Sequence, residues 1–187
     1  MKKVLVLEGS PRVGNTALVT DWVLEGMGRG VSVERVRVCE LAVHECQECF
    51  TCSRSKKTAG CAQNDAMVDL YDRIVDADLV LWTSPIFCWG ITGQLKVVLD
   101  RCFALLTGED MLKGNKWALV LTAGGDHFDG ADLVVQMFLR LARFGGIEYL
   151  GQHVVAPCPD RAKLRNNTVL KKSARGFGRE LAKALAD

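Results

Sequence analysis

Short apolar segments alternate with helical stripes along the 187-residue chain, and this alternation most constrains the fold. Five segments have the pattern of β-strands, at residues 3–8, 31–38, 78–84, 116–123 and 147–156. Between them, apolar side chains recur every three or four residues, as on one face of an amphipathic helix. The alternation predicts an α/β fold, a five-stranded parallel sheet with helices on both faces. At this length the common strand order is 2-1-3-4-5.

The boundaries of the helices carry their own signals. Gly28 and Gly30 are predicted to end the first helix, and Asp65 and Asp129 to cap two later ones. The apolar stripe at residues 95–106 predicts a single helix, and residues 168–186 a final one. No linker or repeat interrupts the pattern, so the sequence predicts a single domain over residues 1–187. A cysteine-rich loop at about 44–65 is inserted in it.

Charge and hydropathy exclude several classes of function. A net charge of +2 is too small to predict a nucleic-acid partner. No apolar run approaches the roughly 20 residues of a membrane span. The apolar run before Glu8 is also shorter than a signal-peptide core of about 7–15 residues. We therefore expect a cytoplasmic protein without a membrane partner.

Ligands in such sheets bind beyond the carboxyl ends of the strands. This rule selects the loops at residues 9–16, 84–92 and 122–130. Because the cysteine-rich loop follows the second strand, we expect it at the same edge of the sheet. The sequence thus predicts that all the chemistry gathers on one edge.

The first of these loops, GSPRVGNT, joins a buried strand to the start of a helix. Unpaired N–H groups and the helix dipole favour an anion at such a position. Ser10, Asn15 and Thr16 can add donors, Arg12 a positive charge, and Gly14 a close backbone approach. The loop is therefore predicted to bind a phosphate, the alternative being an ordinary capped turn. Its spacing matches neither a Walker A loop nor GxGxxG.

The other two loops offer flat apolar surface and close backbone approach. Proline at position 85 ends the third strand, because it cannot continue the hydrogen-bond ladder. Phe87 and Trp89 can line a planar ring, unless they are core aromatics. Gly124 and Gly125 let the backbone approach a ligand, although a plain turn explains them nearly as well.

These motifs resemble a known family. GSPRVGNT, the segment SPIFCWGITGQLKVVLDR and the TAGG turn at 122–125 are similar to the flavodoxin-like NAD(P)H-dependent FMN reductases. The cysteine-rich loop and the GCAQNDAM that closes it resemble the iron–sulfur flavoprotein branch. The resemblance implies a flavodoxin-like fold that binds FMN and uses NAD(P)H as substrate. The implied FMN-binding residues are Ser10, Arg12, Gly14, Asn15, Thr16, Ser84, Pro85, Ile86, Phe87, Cys88, Trp89, Thr122, Ala123, Gly124, Gly125 and Asp126.

The resemblance also implies a reaction that passes electrons from a reduced nicotinamide through FMN to a small-molecule or protein acceptor. Flavin carries such chemistry itself, so no catalytic acid or base is predicted among the side chains. Two alternatives are a non-enzymatic electron carrier of the flavodoxin type and a redox-sensing FMN module. Exposed aromatic surface at the flavin edge, together with the family, predicts a homodimer or a dimer of dimers.

The cysteines are concentrated in CQECFTCSRSKKTAGC at residues 46–61. A C-x2-C-x2-C run with a fourth cysteine farther on favours a [4Fe–4S] cluster, whereas zinc sites usually use separated pairs. A reducing compartment disfavours disulfides, and the density disfavours simple packing. A cluster on Cys46, Cys49, Cys52 and Cys61 is therefore the hypothesis, with zinc or free thiols as alternatives. The remaining cysteines are predicted to pack, with Cys88 near the flavin: Cys39, Cys88, Cys102 and Cys158.

Overall fold

The sheet has the predicted topology. The structure is a computed structural model that describes residues 1–54, 59–107 and 111–186. All strand pairings are parallel, in the order β2-β1-β3-β4-β5. The strands are β1 (Lys2–Glu8), β2 (Val31–Arg37), β3 (Leu79–Pro85), β4 (Lys116–Thr122) and β5 (Glu148–Val155). The predicted fold class and strand order are confirmed.

Helices cover both faces of this sheet. They are α1 (Asn15–Met27), α2 (Met67–Asp76), α3 (Gly93–Arg101), α4 (Phe103–Leu106), α5 (Ala131–Gly145), α6 (Arg161–Arg165) and α7 (Thr168–Ala186). Alternate residues of each central strand face opposite layers, because side chains alternate across a strand. One face packs against α2 to α5 around Trp82, Trp117 and Phe138, and the other packs against α1, α6 and α7. Among the described residues, no helix combines the length and apolarity that a membrane crossing requires.

Helices α1 and α7 cross backbone to backbone. A Cβ atom on Gly178 would overlap the carbonyl oxygen of Val23, and one on Gly26 would overlap that of Arg175. Nothing larger than hydrogen fits at either glycine of this crossing. The crossing holds α1 close to the sheet and thereby fixes the position of its N-terminus.

Three expectations about helices need correction or refinement. The stripe predicted as one helix is divided at Cys102, where α3 ends and α4 begins. Asp129 does not cap α5: Gly130 holds the capping position at φ 108°, and the Asp129 carboxylate accepts the Asp126 N–H instead. Ala66 rather than Asp65 holds the N-cap position of α2, although the Asp65 carboxylate accepts the N–H of Met67, the first residue of that helix, at 3.0 Å.

Candidate functional site

The turn between β1 and α1 presents an open helix terminus. Gly14 holds the N-cap position of α1, and no side chain caps the helix. The N–H groups of its first turn are therefore available to an anion. The Ser10 hydroxyl donates to the Arg12 carbonyl at 2.7 Å and shapes the turn, while the Arg12 side chain is exposed. A cavity of about 260 Å³ lies beside these residues.

Two of the predicted phosphate donors have partners elsewhere. The Asn15 amide donates to the Pro159 carbonyl at 2.9 Å, and the Thr16 hydroxyl shares a 2.7 Å hydrogen bond with that of Thr122. These side chains tie the first loop to the end of β4 and to the loop after β5. An anion at this turn would therefore meet the N–H groups of Asn15 and Thr16 rather than their side chains.

The loop after β5 was not among the loops selected from the sequence. Arg161, at the start of α6, donates to the Val13 carbonyl at 2.7 Å and so brings a second arginine to the turn between β1 and α1. The signal that could have found it is the PCPDR segment at 157–161, which follows the fifth strand directly.

The second loop is anchored by buried hydroxyls. Ser84 is fully buried; its hydroxyl donates to the Pro85 carbonyl at 2.7 Å and accepts the Thr92 N–H at 3.1 Å. The Thr92 hydroxyl in turn donates to the Gly9 carbonyl at 2.7 Å. Ser84 therefore supports the loop, and Thr92, which the sequence did not suggest, joins the first two loops.

Residues 87–90 form a tight turn with unusual backbone angles. Phe87 and Gly90 exchange two backbone hydrogen bonds, at 2.9 and 3.0 Å, while Cys88 and Trp89 between them have φ of 45° and 62°. Positive φ is uncommon outside glycine and clusters at functional sites. Phe87 is 50% and Trp89 63% exposed, so neither is a core aromatic.

The predicted packing cysteines have different environments. Cys102 is buried as expected, and Cys39 and Cys158 are half-buried. Cys88 is exposed, and its prediction as a packing cysteine is wrong. The tight turn holds it away from the core at a positive φ.

The third loop, at residues 122–130, packs against the turn at residues 87–90, which is called the aromatic turn below. Thr122 and Ala123 are buried, whereas Gly124 borders open space and Asp126 is exposed. Ile86 donates its N–H to the Thr122 carbonyl at 2.8 Å. The three loops thus form one continuous rim of backbone, charge and aromatic surface at the carboxyl ends of the strands. Such a rim fits a phosphate-bearing planar ligand such as FMN.

The cysteines of the cysteine-rich loop line a second cavity of about 400 Å³. Cys46, Cys49, Cys52 and Cys61 all border it. Within residues 1–54, 59–107 and 111–186, no three His, Cys, Asp or Glu side chains are already arranged as metal ligands. Four thiols around one cavity are nevertheless a donor set that suits an iron–sulfur cluster or zinc. In the sequence, Lys56 and Lys57 stand between Cys52 and Cys61, where their positive charge would offset part of the negative charge of a cluster. Both lie outside the described residues.

A buried ion pair holds both ends of the cysteine-rich loop. Arg101 donates to both oxygens of Asp65, at 2.6 and 3.1 Å, and to the His44 carbonyl at 2.8 Å. Burial alone would raise the pKa of Asp65. Hydrogen bonds from Arg101 and from the N–H groups of His44 and Met67 hold that pKa at about 2, below its usual 3.8.

This pKa predicts a loss of stability in acid. The Asp65 pKa is lower in the folded than in the unfolded chain, so its contribution is complete above pH 3.8 and disappears as the pH falls towards 2. The free energy of unfolding should fall by on the order of 2 kcal/mol over this range through Asp65. Urea unfolding from pH 5 to pH 2 measures it.

Asp65→Asn should lose this part of the pH dependence, and the exposed Asp69 supplies the matched control, Asp69→Asn. Equal pH dependence in wild type and Asp65→Asn would contradict the assignment.

The two cavities do not share one edge of the sheet as predicted. The cysteine cavity borders the C-terminal end of α3, at Arg101. The N-terminal end of the same helix, at Gly93, follows the loop that carries Phe87 and Trp89. At 1.5 Å per residue, these ends are roughly 12 Å apart. The cysteine-rich loop leaves from the predicted edge but folds back along α3, because the Asp65–Arg101 pair anchors it there.

Comparisons with known proteins agree with this geometry. The sequence profile of the NADPH-dependent FMN reductases matches residues 2–158. An iron–sulfur flavoprotein from Archaeoglobus fulgidus is 30% identical over 146 residues, which are 77% of this chain and 73% of the relative. Another, from Methanocaldococcus jannaschii, is 28% identical over 135 residues, or 72% of this chain and 67% of the relative.

A solved structure shares the whole fold. The FMN-dependent NADH-azoreductase from Bacillus anthracis, in complex with FMN, superimposes with a TM-score of 0.68 at 16% identity and covers 100% of both chains. At that identity the likeness concerns the fold alone, whereas the profile match and the Archaeoglobus relative establish the family. The chain is therefore an FMN-binding, NAD(P)H-dependent oxidoreductase that belongs to the NADPH-dependent FMN reductase family, in its iron–sulfur flavoprotein branch.

Proposed function

We propose that this enzyme holds FMN across the three loops at the carboxyl ends of its strands and passes electrons from NAD(P)H to a small-molecule acceptor. The observation that carries the proposal is the uncapped N-terminus of α1 lying on the same rim as an exposed aromatic turn. Bound FMN supplies the hydride and electron chemistry. The side chains then bind and orient the cofactor.

Each part of the rim suits one part of FMN. The N–H groups at the start of α1, with the Arg12 guanidinium, bind the phosphate. Phe87 and Trp89 offer flat apolar surface to the ring, and the exposed backbone at Gly124 can approach its opposite edge. Three further predicted residues hold these groups in place from buried positions: Thr16, Ser84 and Thr122.

Arg12→Ala tests this arrangement together with the function. A charge-assisted hydrogen bond contributes about 1.5–3 kcal/mol, so the FMN dissociation constant should rise about tenfold or more. The wild-type holoenzyme should oxidise NADH or NADPH with a quinone or free flavin as acceptor. The variant should recover turnover only when FMN is added in excess. Fluorescence titration and steady-state NAD(P)H oxidation measure the two effects.

The matched control is Arg29→Ala, because Arg29 is an exposed arginine beyond the opposite end of α1. It should change neither quantity. FMN affinity unchanged in Arg12→Ala would contradict the phosphate assignment. A wild-type holoenzyme that binds FMN but sustains no turnover with these acceptors would instead contradict the choice of acceptor.

We also propose that the cysteine cavity holds a [4Fe–4S] cluster on Cys46, Cys49, Cys52 and Cys61. The placement of all four thiols around one cavity supports this ligand set. Clustered thiols of this kind suit a reducing compartment, which supports a cytoplasmic location.

Both hydrophobic clusters share the one sheet, which supports a single domain over residues 1–187.

A homodimer, alone or paired into a dimer of dimers, completes the proposal. Leu133, Met137, Leu141 and Phe144 form an apolar stripe on one side of α5. Gly130, the N-cap of α5, packs against the backbone of Trp89, so the stripe begins next to the turn at residues 87–90. Lone domains rarely expose such a surface. A second copy of the chain on this stripe would also cover the edge of the flavin.

Phe144→Glu should therefore separate the dimer. Phe144 is 65% exposed, and a buried, unpaired carboxylate at its position opposes association. Light scattering at micromolar concentration should show a dimeric wild type and a monomeric variant. Val169→Glu is the control, because Val169 is as exposed but lies on α7. A monomeric wild type with FMN bound would contradict the dimer, and a dimeric Phe144→Glu would contradict the choice of surface.

A further inference from the structure

Arg101 is a charged residue with only 2% of its surface exposed. Arginine is almost never buried to this extent unless it is paired. Its pairing with Asp65 offsets part of the desolvation, and the Tyr71 hydroxyl donates to its carbonyl at 3.1 Å. Asp65 accepts four hydrogen bonds in all, two from Arg101 and one each from His44 and Met67. The carboxylate is thus fully satisfied.

The guanidinium has contacts that a purely structural ion pair does not need. Its Nη2 atom also donates to the Cys61 sulfur at 3.4 Å, and its Nε atom is buried with no partner among the described residues. Arg101 lines the same cavity as the four cysteines. The Arg101 side chain therefore contacts both ends of the cysteine-rich loop. It contacts His44 before the cysteine run, and Cys61 and Asp65 after it.

A fixed positive charge beside a thiolate ligand has a definite effect on the group that the ligand holds. Hydrogen bonds to the sulfurs and the local charge both set the reduction potential of an iron–sulfur cluster. A cation and an N–H donor stabilise the more negative, reduced state. Because Arg101 is buried, solvent screens this interaction only weakly.

We propose that Arg101 is a positioning residue for the cysteine centre: it fixes the Cys61 sulfur, closes both ends of the loop and raises the reduction potential of the cluster held there. The inference rests on the proposed iron–sulfur centre. Arg101, the last residue of α3, thus sets the redox properties of a cluster to which α3 itself contributes no ligand.

Arg101→Lys is the principal test, because lysine keeps the charge but cannot bond Asp65 bidentately and Cys61 at once. After anaerobic reconstitution with iron and sulfide, the variant should release iron to a chelator about tenfold faster or more. Its midpoint potential, from an anaerobic redox titration followed by visible absorbance, should lie below that of wild type. An FMN titration with wild-type affinity shows that the fold is intact.

Arg73→Lys is the matched control, because Arg73 is likewise an ion-paired arginine, bonded to Glu34 and Asp69, but lies outside the cysteine cavity. It should leave iron release and potential unchanged. If Arg101→Lys fails to fold, Asp65→Asn/Arg101→Met removes both buried charges together and carries the same expectation.

The outcomes separate the two proposals. Wild-type potential or wild-type iron release in the folded variants would overturn the role of Arg101 and leave the cluster standing. A wild-type chain that takes up no iron and sulfide would overturn both.

Discussion

Gly178→Ala is expected to destabilise the protein by about 3 kcal/mol or more, although alanine is the better helix former. The added methyl group would overlap the Val23 carbonyl, and backbone cannot move aside as a side chain can. Helices α1 and α7 must separate to admit it. Because the turn at the N-terminus of α1 is the proposed binding site of the FMN phosphate, FMN affinity should fall as well.

Helix α7 also contains a control position, at which the same substitution should raise the free energy of unfolding instead of lowering it. A Cβ atom on Gly176 would meet only the end of the Arg179 side chain, at 3.7 Å. Gly176→Ala should therefore stabilise the protein by roughly 0.5–1 kcal/mol. Urea unfolding of both variants measures the difference, and two variants of similar stability would contradict the backbone contact between the helices.

Replacement of Cys49, one of the four proposed cluster ligands, should have the second large effect. Anaerobic reconstitution of wild type is expected to give about four irons per chain and a broad visible charge-transfer band. Cys49→Ser should lose most of the iron, because three remaining thiolates hold the cubane poorly. Iron and sulfide analysis with absorbance spectra measures the result.

Cys39→Ser serves as the comparison, because Cys39 lies outside the cavity and its thiol points to the Ser10 carbonyl. It should keep the full iron content. Stoichiometric zinc without a visible band, or no metal in wild type, would contradict the cluster and leave FMN as the redox centre.

The sheet could be predicted because its signals are local. The apolar runs of the inner strands β3 and β4 reflect burial on both faces of the sheet. The alternation at 31–38 correctly marks the edge strand β2, although only Val36 of that strand is buried and Val33 is exposed. The position of the first loop was also predictable, since a strand, a small-residue turn and a helix follow one another there. That this loop binds a phosphate stays a prediction.

The errors came from hydrogen bonds that the sequence pattern does not report, one within a loop and the others between distant residues. Asp129 has the composition of a cap, but its carboxylate is drawn to the Asp126 N–H within its own loop. Asn15 and Thr16 read as free donors, yet their partners lie more than a hundred positions away. The position of the cysteine cavity depends on Arg101, which the pattern alone assigned to a helix stripe. The periodicity of apolar residues does not show which buried charged residues pair with each other.

The tight turn at Cys88 and Trp89 implies a conflict between durability and activity. A two-residue turn with positive φ at both central positions is most stable as Asn-Gly, whereas strained non-glycine residues cost about 1–3 kcal/mol each. Selection for heat resistance alone would replace both residues and erase the aromatic platform. Engineering this enzyme for higher temperature should therefore draw its gains from elsewhere in the fold and leave residues 87–90 untouched.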